Sequence, residues 1–100
     1  MNKVIRDGKV GVLISPSFGG GFYTWGAPEE AIFDPKLIEL VENEKYQEAI
    51  DYVEETYDVF SGGVDDLVVV WIPQGTKFII DEYDGSESIR TFEDLDWITA

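Results

Sequence analysis

The chain has 100 residues, 44% of them hydrophobic, and its three Trp, five Tyr and six Phe supply enough bulky side chains for one folded domain. The absence of Cys and His excludes disulfides, thiol catalysis and zinc sites built from these residues. Seven basic and 21 acidic residues give a net charge of −14, which disfavours direct binding to nucleic acid or to an anionic membrane.

The first predicted element is a β-hairpin. Residues 3–6 and 9–14 are rich in β-branched side chains and flank Asp7 and Gly8. An Asp-Gly pair suits a two-residue type I′ turn, because both central residues of that turn need a positive φ. The segment that follows, residues 15–28, holds three consecutive glycines among aromatic residues, and we expect a short strand over residues 22–25.

Two helices are predicted next. Asp34 followed by Pro35 is a typical helix start, because Asp caps free backbone N–H groups and Pro fits the first helical position. This helix runs to about Glu42, and Asn43 is expected to end it and to cap the next one. The second helix, about 44–57, has the clearest helical spacing of apolar residues: Tyr46, Ala49, Ile50, Val53 and Tyr57.

The sequence pattern of the last part of the chain predicts three strands. Residues 67–72 are apolar throughout and β-branched, which is typical of a central strand covered on both faces. A turn at 73–76 leads into residues 77–83 as its antiparallel partner. A second turn at Asp84 and Gly85 leads into a strand at 88–90, and a final helical turn is expected at 92–97.

This order of elements predicts a single α+β domain spanning residues 1–100. We expect an antiparallel sheet of about four to five strands with two helices packed on one face.

The negative charge is concentrated after residue 28. Residues 1–28 carry three bases and one acid, whereas residues 29–100 carry four bases and 20 acids. One row of the second helix is acidic: Glu44, Glu48, Asp51 and Glu55. Like charges at this spacing cost a helix about 0.2–0.5 kcal/mol per pair. The row is either a solvated helix face, which is the more common use, or a surface that imitates the phosphates of nucleic acid and docks on a basic protein.

The glycine–aromatic segment, residues 18–25, offers an alternative site. Glycines let backbone N–H groups approach an anion, and aromatic rings can stack on a flat ligand. The candidate ligand-binding residues are Arg6, Phe22, Tyr23 and Trp25. Neither a P-loop nor a dinucleotide-binding glycine motif is present. The competing interpretation is that the glycines form a turn and the aromatic residues fill the core.

The acidic stretch at residues 81–87 suggests oxygen ligands for a cation, but its spacing does not match an EF-hand loop, and a turn is the better interpretation. No nucleophile motif is present. Because the chain has 21 acids, some carboxylates lie near one another in any fold, so a pair of carboxylates does not indicate catalysis. We therefore predict no catalytic residue, no metal site and no cofactor, and we do not expect an enzyme.

Four stretches carry a resemblance to known proteins: residues 4–10, 18–25, 33–36, and 71–78 continuing to 82–85. Together they resemble a group of small uncharacterised proteins encoded by tailed bacteriophages and prophages. The resemblance implies an accessory, non-virion protein made inside the bacterial host. No activity is attached to that group, so no residue role is carried over.

We therefore expect an acidic phage-type protein in the host cytoplasm that binds a host protein with a basic surface, as a nucleic-acid mimic or inhibitor. The alternative is a small-ligand or nucleotide-binding protein that uses residues 18–25 to sequester a signal. The absence of a long apolar run or a leader pattern agrees with a cytoplasmic location. The sequence leaves the oligomeric state open, a homodimer included.

Overall fold

The chain folds as an α+β protein, as its sequence predicts, in a computed structural model that describes residues 3–59 and 62–91. The predicted helical turn at 92–97 lies outside the described residues. Two 3-10 turns accompany the regular elements, at Tyr23–Trp25 and Val64–Asp66. The strands and helices of the described residues are β1 (Ile5–Arg6), β2 (Lys9–Ile14), α1 (Glu29–Ile32), α2 (Pro35–Glu42), α3 (Tyr46–Tyr57), β3 (Val68–Pro73), β4 (Phe78–Tyr83) and β5 (Ser86–Thr91).

The N-terminal hairpin forms as predicted. Strand β1 pairs antiparallel with β2, with Ile5 opposite Val10. Asp7 and Gly8 at the turn have φ values of 52° and 76°, the left-handed backbone that a type I′ turn requires. The short Asp-Gly signal was therefore sufficient to place this hairpin.

The predicted central strand is at an edge instead. The three-stranded sheet has the order β1-β2-β3, and among the described residues β3 pairs only with β2. The strand that is covered on both faces is β2, since Val12 and Leu13 are each 0% exposed. Gly11 on β2 leaves room for Trp71 on β3, because a side chain at residue 11 would lie 3.1 Å from that ring. On β3, Ile72 is buried, and Val69 and Val70 are half-buried against the core.

The predicted pairing of β3 with β4 is wrong, and so is the prediction of one sheet. Strand β4 pairs antiparallel with β5, giving a separate two-stranded sheet. Residues 73–76 form the predicted turn, in which the Thr76 N–H donates to the Pro73 carbonyl at 3.1 Å. The Gln74 N–H also donates to the Gly8 carbonyl at 2.8 Å, which continues the pairing of β2 with β3. Asp84 and Gly85 form the predicted turn between β4 and β5, with φ values of 53° and 86°.

Helix α2 begins and ends where its sequence predicts. Asp34 caps its N-terminus, and one oxygen of that carboxylate accepts from the Lys36 and Leu37 N–H groups at 2.9 and 3.3 Å. Asn43 ends the helix but does not cap α3, which begins at Tyr46 after Lys45. Glu44 has a φ of 57° and lies in the connection, so the predicted start of α3 was two residues early.

The core is built where α1 and α2 contact strands β2 and β3, and α3 packs on α2 and on the turn at Val64–Asp66. The short helix α1 was not predicted. The strand expected over residues 22–25 is wrong, because this segment forms a 3-10 turn. Its first aromatic side chain, Phe22, is 1% exposed and belongs to the core.

Candidate functional site

Three of the four predicted acidic residues lie together on α3. Glu48, Asp51 and Glu55 line one hollow of about 290 Å³ at the outer surface of the α2–α3 pair. We call these three residues the acidic face. The same hollow is lined by Lys36, Leu40 and Tyr52. Glu44 lies apart from them, in the connection before the helix.

The acidic face is not neutralised within the described residues. Its three residues are exposed, and none makes an ion pair. The Asp51 carboxylate accepts one hydrogen bond, from the side-chain amide of Gln47 at 3.2 Å. The Lys36 ammonium lies over the ring of Tyr52, 5.8 Å from its centroid, and forms no ion pair with a carboxylate in residues 3–59 and 62–91. With Lys36 counted, the walls of the hollow carry a formal net charge of −2, and this negative charge faces solvent.

The surroundings of the acidic face share its sign. Residues 39–66 contain ten acids and one lysine, a net charge of −9. The last turn of α3 has no basic residue, although the carboxyl end of a helix already carries a partial negative charge. Both effects add to the negative potential at the carboxyl end of α3.

Helix α3 is held on α2 by a carboxylate that sequence analysis recognised only as a helix cap. The second oxygen of Asp34 accepts from the hydroxyls of Tyr52 and Tyr57, at 2.6 and 2.5 Å. Burial and the hydrogen bonds to Asp34 raise the pKa of both phenols above the ordinary value of 10. The two hydroxyls therefore remain donors at neutral pH, which suits positioning of the helix and not proton abstraction.

The four predicted ligand-binding residues are not brought together. Phe22 is in the core, and Tyr23 and Trp25 are 38% and 40% exposed on the 3-10 turn. Arg6 makes a bidentate ion pair with Glu42 on α2, at 2.7 and 2.8 Å, and its guanidinium lies 4.9 Å from the centroid of a ring of Trp71. A site composed of Arg6 and the glycine–aromatic segment is therefore not formed.

The backbone donors of that segment are occupied by a buried carboxylate, Glu87 on β5, which is 2% exposed. One of its oxygens accepts from the Ser15 N–H at 2.9 Å, and the other accepts from the N–H of Phe22 and from the N–H and hydroxyl of Thr24, at 3.1, 2.8 and 2.7 Å. A buried charge needs such a set of partners. The anion that the segment binds is thus part of the same chain.

The glycines of this segment serve close packing. A side chain at Gly63 would lie 2.5 Å from the Gly20 carbonyl oxygen, and one at Gly85 would lie 2.7 Å from the Gly20 nitrogen. The Gly19 N–H donates to the Asp84 carbonyl at 2.8 Å. The competing interpretation, glycines for a turn and aromatic residues for the core, describes most of this segment. The sequence did not indicate that Glu87 is buried, because Glu87 is one of several acidic residues in a segment that was predicted to form a turn.

A groove of about 640 Å³ lies between the 3-10 turn at Tyr23–Trp25, α1 and β4. Its walls include Tyr23, the one predicted ligand-binding residue that lines it. The other aromatic and charged residues on its walls are Lys3, Glu29, Phe33, Lys77 and Phe78.

The acidic stretch at 81–87 forms the predicted turn. Asp81 is paired with Arg90 at 2.7 Å, and Glu82 accepts from the Gly85 N–H at 2.5 Å. Across the described ranges, no group of three or more acidic side chains is placed to hold a metal ion.

The same ranges contain no helix with the length and apolar character needed to span a membrane.

The chain matches no protein-family model, and searches of curated proteins and of solved structures also found no match.

Proposed function

We propose that this chain binds a basic surface of another protein through the acidic face of α3. The observation that carries the proposal is that Glu48, Asp51 and Glu55 share one exposed hollow and make no ion pair within the described residues. Like charges at this helical spacing cost about 0.2–0.5 kcal/mol per pair, and a cationic partner would offset that cost.

The arrangement of the helices supports this use of α3. We propose that α2 and α3 lie on one face of the three-stranded sheet, because α2 contacts β2 and β3 while α3 contacts α2. Asp34 fixes α3 on α2 through Tyr52 and Tyr57, so the acidic face is presented on a positioned helix. A fixed array of charges steers a partner more effectively than charges on mobile segments, and it makes association fast and sensitive to salt.

The class of partner follows from charge and from the resemblance to phage proteins. A basic protein of the bacterial host, above all one that binds nucleic acid, is the partner that this surface fits. In that role the acidic face replaces the phosphates of nucleic acid and acts as an inhibitor in the host cytoplasm. The proposal includes no catalysis, cofactor, membrane contact or direct contact with nucleic acid.

The proposal is tested by capture from a bacterial lysate with matched variants. Reversal of the acidic face, E48K/D51K/E55K, changes the net charge by the same amount as reversal of three exposed acids outside residues 39–66, E29K/E82K/D84K. We expect the wild-type chain to retain basic proteins at about 50 mM NaCl and to release them at about 500 mM, because salt screens exposed charges. Only the acidic-face variant should lose them.

Circular dichroism and thermal melting show whether both variants keep the fold. Equal capture by the wild type and the folded acidic-face variant would refute the proposal. Equal loss in both variants would also refute it, because it would show that net charge, and not α3, governs binding.

A further inference from the structure

The groove between α1 and β4 combines features that the proposed function does not use. Lys3 and Lys77 stand on its walls, and neither makes an ion pair within the described residues. The sequence has only seven basic residues for 21 acids, so two lysines without a carboxylate partner on one groove are unexpected. The Lys3 ammonium instead lies over the ring of Phe33, 4.6 Å from its centroid.

The floor of the groove is aromatic. Phe33 and Phe78 meet edge to face with their centroids 6.3 Å apart, and Tyr23 stands on the wall with 38% of its surface exposed. Aromatic side chains bind flat rings by stacked or edge-on contacts. The volume of about 640 Å³ is within the range of small-molecule sites, and it admits one or two fused rings with a substituent.

We propose that this groove binds a small molecule that joins a flat aromatic ring to one negatively charged group. The ring lies on Phe78 and Tyr23, beside the buried Phe33, and the anionic group, a carboxylate, sulfonate or phosphodiester, is held by Lys3 and Lys77. Glu29 stands on the same groove and lowers the positive charge of its walls to that of one lysine. The groove therefore selects a singly charged ligand against a polyanion.

The test uses the fluorescent probe 8-anilinonaphthalene-1-sulfonate, which carries a flat ring system and one negative charge, in a titration of the full chain. N-phenyl-1-naphthylamine, a neutral molecule of similar shape, is the matched probe. We expect Lys77→Gln and Lys3→Gln each to raise the Kd of the sulfonate about fivefold at low salt, since one exposed charge contributes up to about 1 kcal/mol. The Kd of the neutral probe should stay the same.

For two further variants we expect the Kd of the sulfonate to fall in one case and to stay unchanged in the other. Glu29→Gln should lower the Kd of the sulfonate, because it removes the repelling carboxylate from the groove. Lys45→Gln removes a lysine from the α2–α3 connection, away from the groove lining, and should leave both values unchanged. Thermal melting of each variant confirms that the fold is retained.

The proposal is overturned if the sulfonate does not bind, or if Lys45→Gln weakens its binding as much as Lys77→Gln does. It is also overturned if the two groove lysines affect the neutral probe equally. None of these outcomes bears on the partner-binding proposal, because no variant in the titration changes the acidic face.

Discussion

Glu87 and the acidic face place carboxylates in opposite environments. Glu87 is 2% exposed, and its oxygens accept hydrogen bonds from Ser15, Phe22 and Thr24. The acidic face is exposed and has no ion pair within the described residues. The same chemical group therefore accepts hydrogen bonds from the glycine–aromatic segment in one place and is exposed to solvent in the other. The formal charge of a carboxylate does not distinguish the buried Glu87 from the exposed acidic face. The hydrogen bonds and exposure of each side chain do distinguish them.

The largest expected effect comes from neutralising the buried carboxylate. Glu87→Gln keeps the shape of the side chain but replaces one acceptor oxygen with a donor, so either the Ser15 N–H or the N–H groups of Phe22 and Thr24 lose their acceptor. We expect the free energy of unfolding to fall by about 3 kcal/mol, because buried donors without partners and broken buried charge contacts carry costs of this size. Urea denaturation measures it.

Glu48→Gln is the control for that measurement. It makes the same chemical change on the acidic face, where the side chain is exposed, and should alter the free energy of unfolding by less than about 0.5 kcal/mol. Similar effects of the two substitutions would remove the distinction between the two regions.

The next largest effect is expected at Asp34, which joins α2 to α3. Asp34→Ala removes the helix cap and leaves the hydroxyls of Tyr52 and Tyr57 without their acceptor. Loss of a cap costs about 1 kcal/mol, and the lost tyrosine contacts should bring the total to about 2 kcal/mol. Denaturant unfolding gives the value. A loss no larger than that of Tyr57→Phe would show that Asp34 acts only through one hydroxyl.

The same contacts give a pH dependence. Burial and the hydrogen bonds to Asp34 raise the pKa of Tyr52 and Tyr57 in the folded chain above the value of 10. Folding therefore favours the protonated phenols. Their contribution to stability is complete below pH 10 and is lost as the pH rises above it toward the folded-state pKa.

Urea midpoints at about pH 9 and about pH 11 measure this loss. We expect a fall in the wild type and a smaller fall in Asp34→Asn, in which the charged acceptor is absent. An equal fall in both proteins would show that the raised pKa values do not originate at Asp34.

The smallest effect on stability is expected at the acidic face itself. Glu48→Gln combined with Glu55→Gln removes like-charge repulsion on α3 and should raise the free energy of unfolding by about 0.3 kcal/mol at low salt. The gain should vanish at high salt because exposed charges are screened. A loss of stability, measured by thermal melting, would mean that the acidic face supports the fold.

Turn and helix-cap signals in the sequence predicted local structure at three places, whereas the 3-10 turn at Tyr23–Trp25 and α1 were missed. The Asp7-Gly8 turn, the start of α2 at Asp34 and the turn at Asp84-Gly85 each depend on backbone preferences of one or two residues, and all three are confirmed. The apolar spacing of α3 was also sufficient to predict that helix, although its start was placed two residues early.

Long-range pairing was not predictable in the same way. Strand β3 pairs with β2 across more than fifty residues of chain, and the predicted turn that follows β3 forms without pairing β3 with β4. The hydrogen bonds of Glu87 to Ser15, Phe22 and Thr24 and the ion pair of Arg6 with Glu42 likewise join residues 72, 65, 63 and 36 positions apart. Three of the four residues predicted for the acidic row, Glu48, Asp51 and Glu55, lie together because this requires only the period of one helix, whereas Glu44 lies before the helix.

The account is tested most directly by mapping where a basic ligand binds. A titration of the ¹⁵N-labelled chain with a short lysine–arginine peptide, followed by heteronuclear NMR, reports on each backbone amide. We predict that the largest shifts fall on residues 46–57, centred on the acidic face, and decrease with added salt. Shifts spread evenly over all exposed acids, or largest at the β4–β5 turn, would contradict the proposal that α3 presents a coherent docking surface.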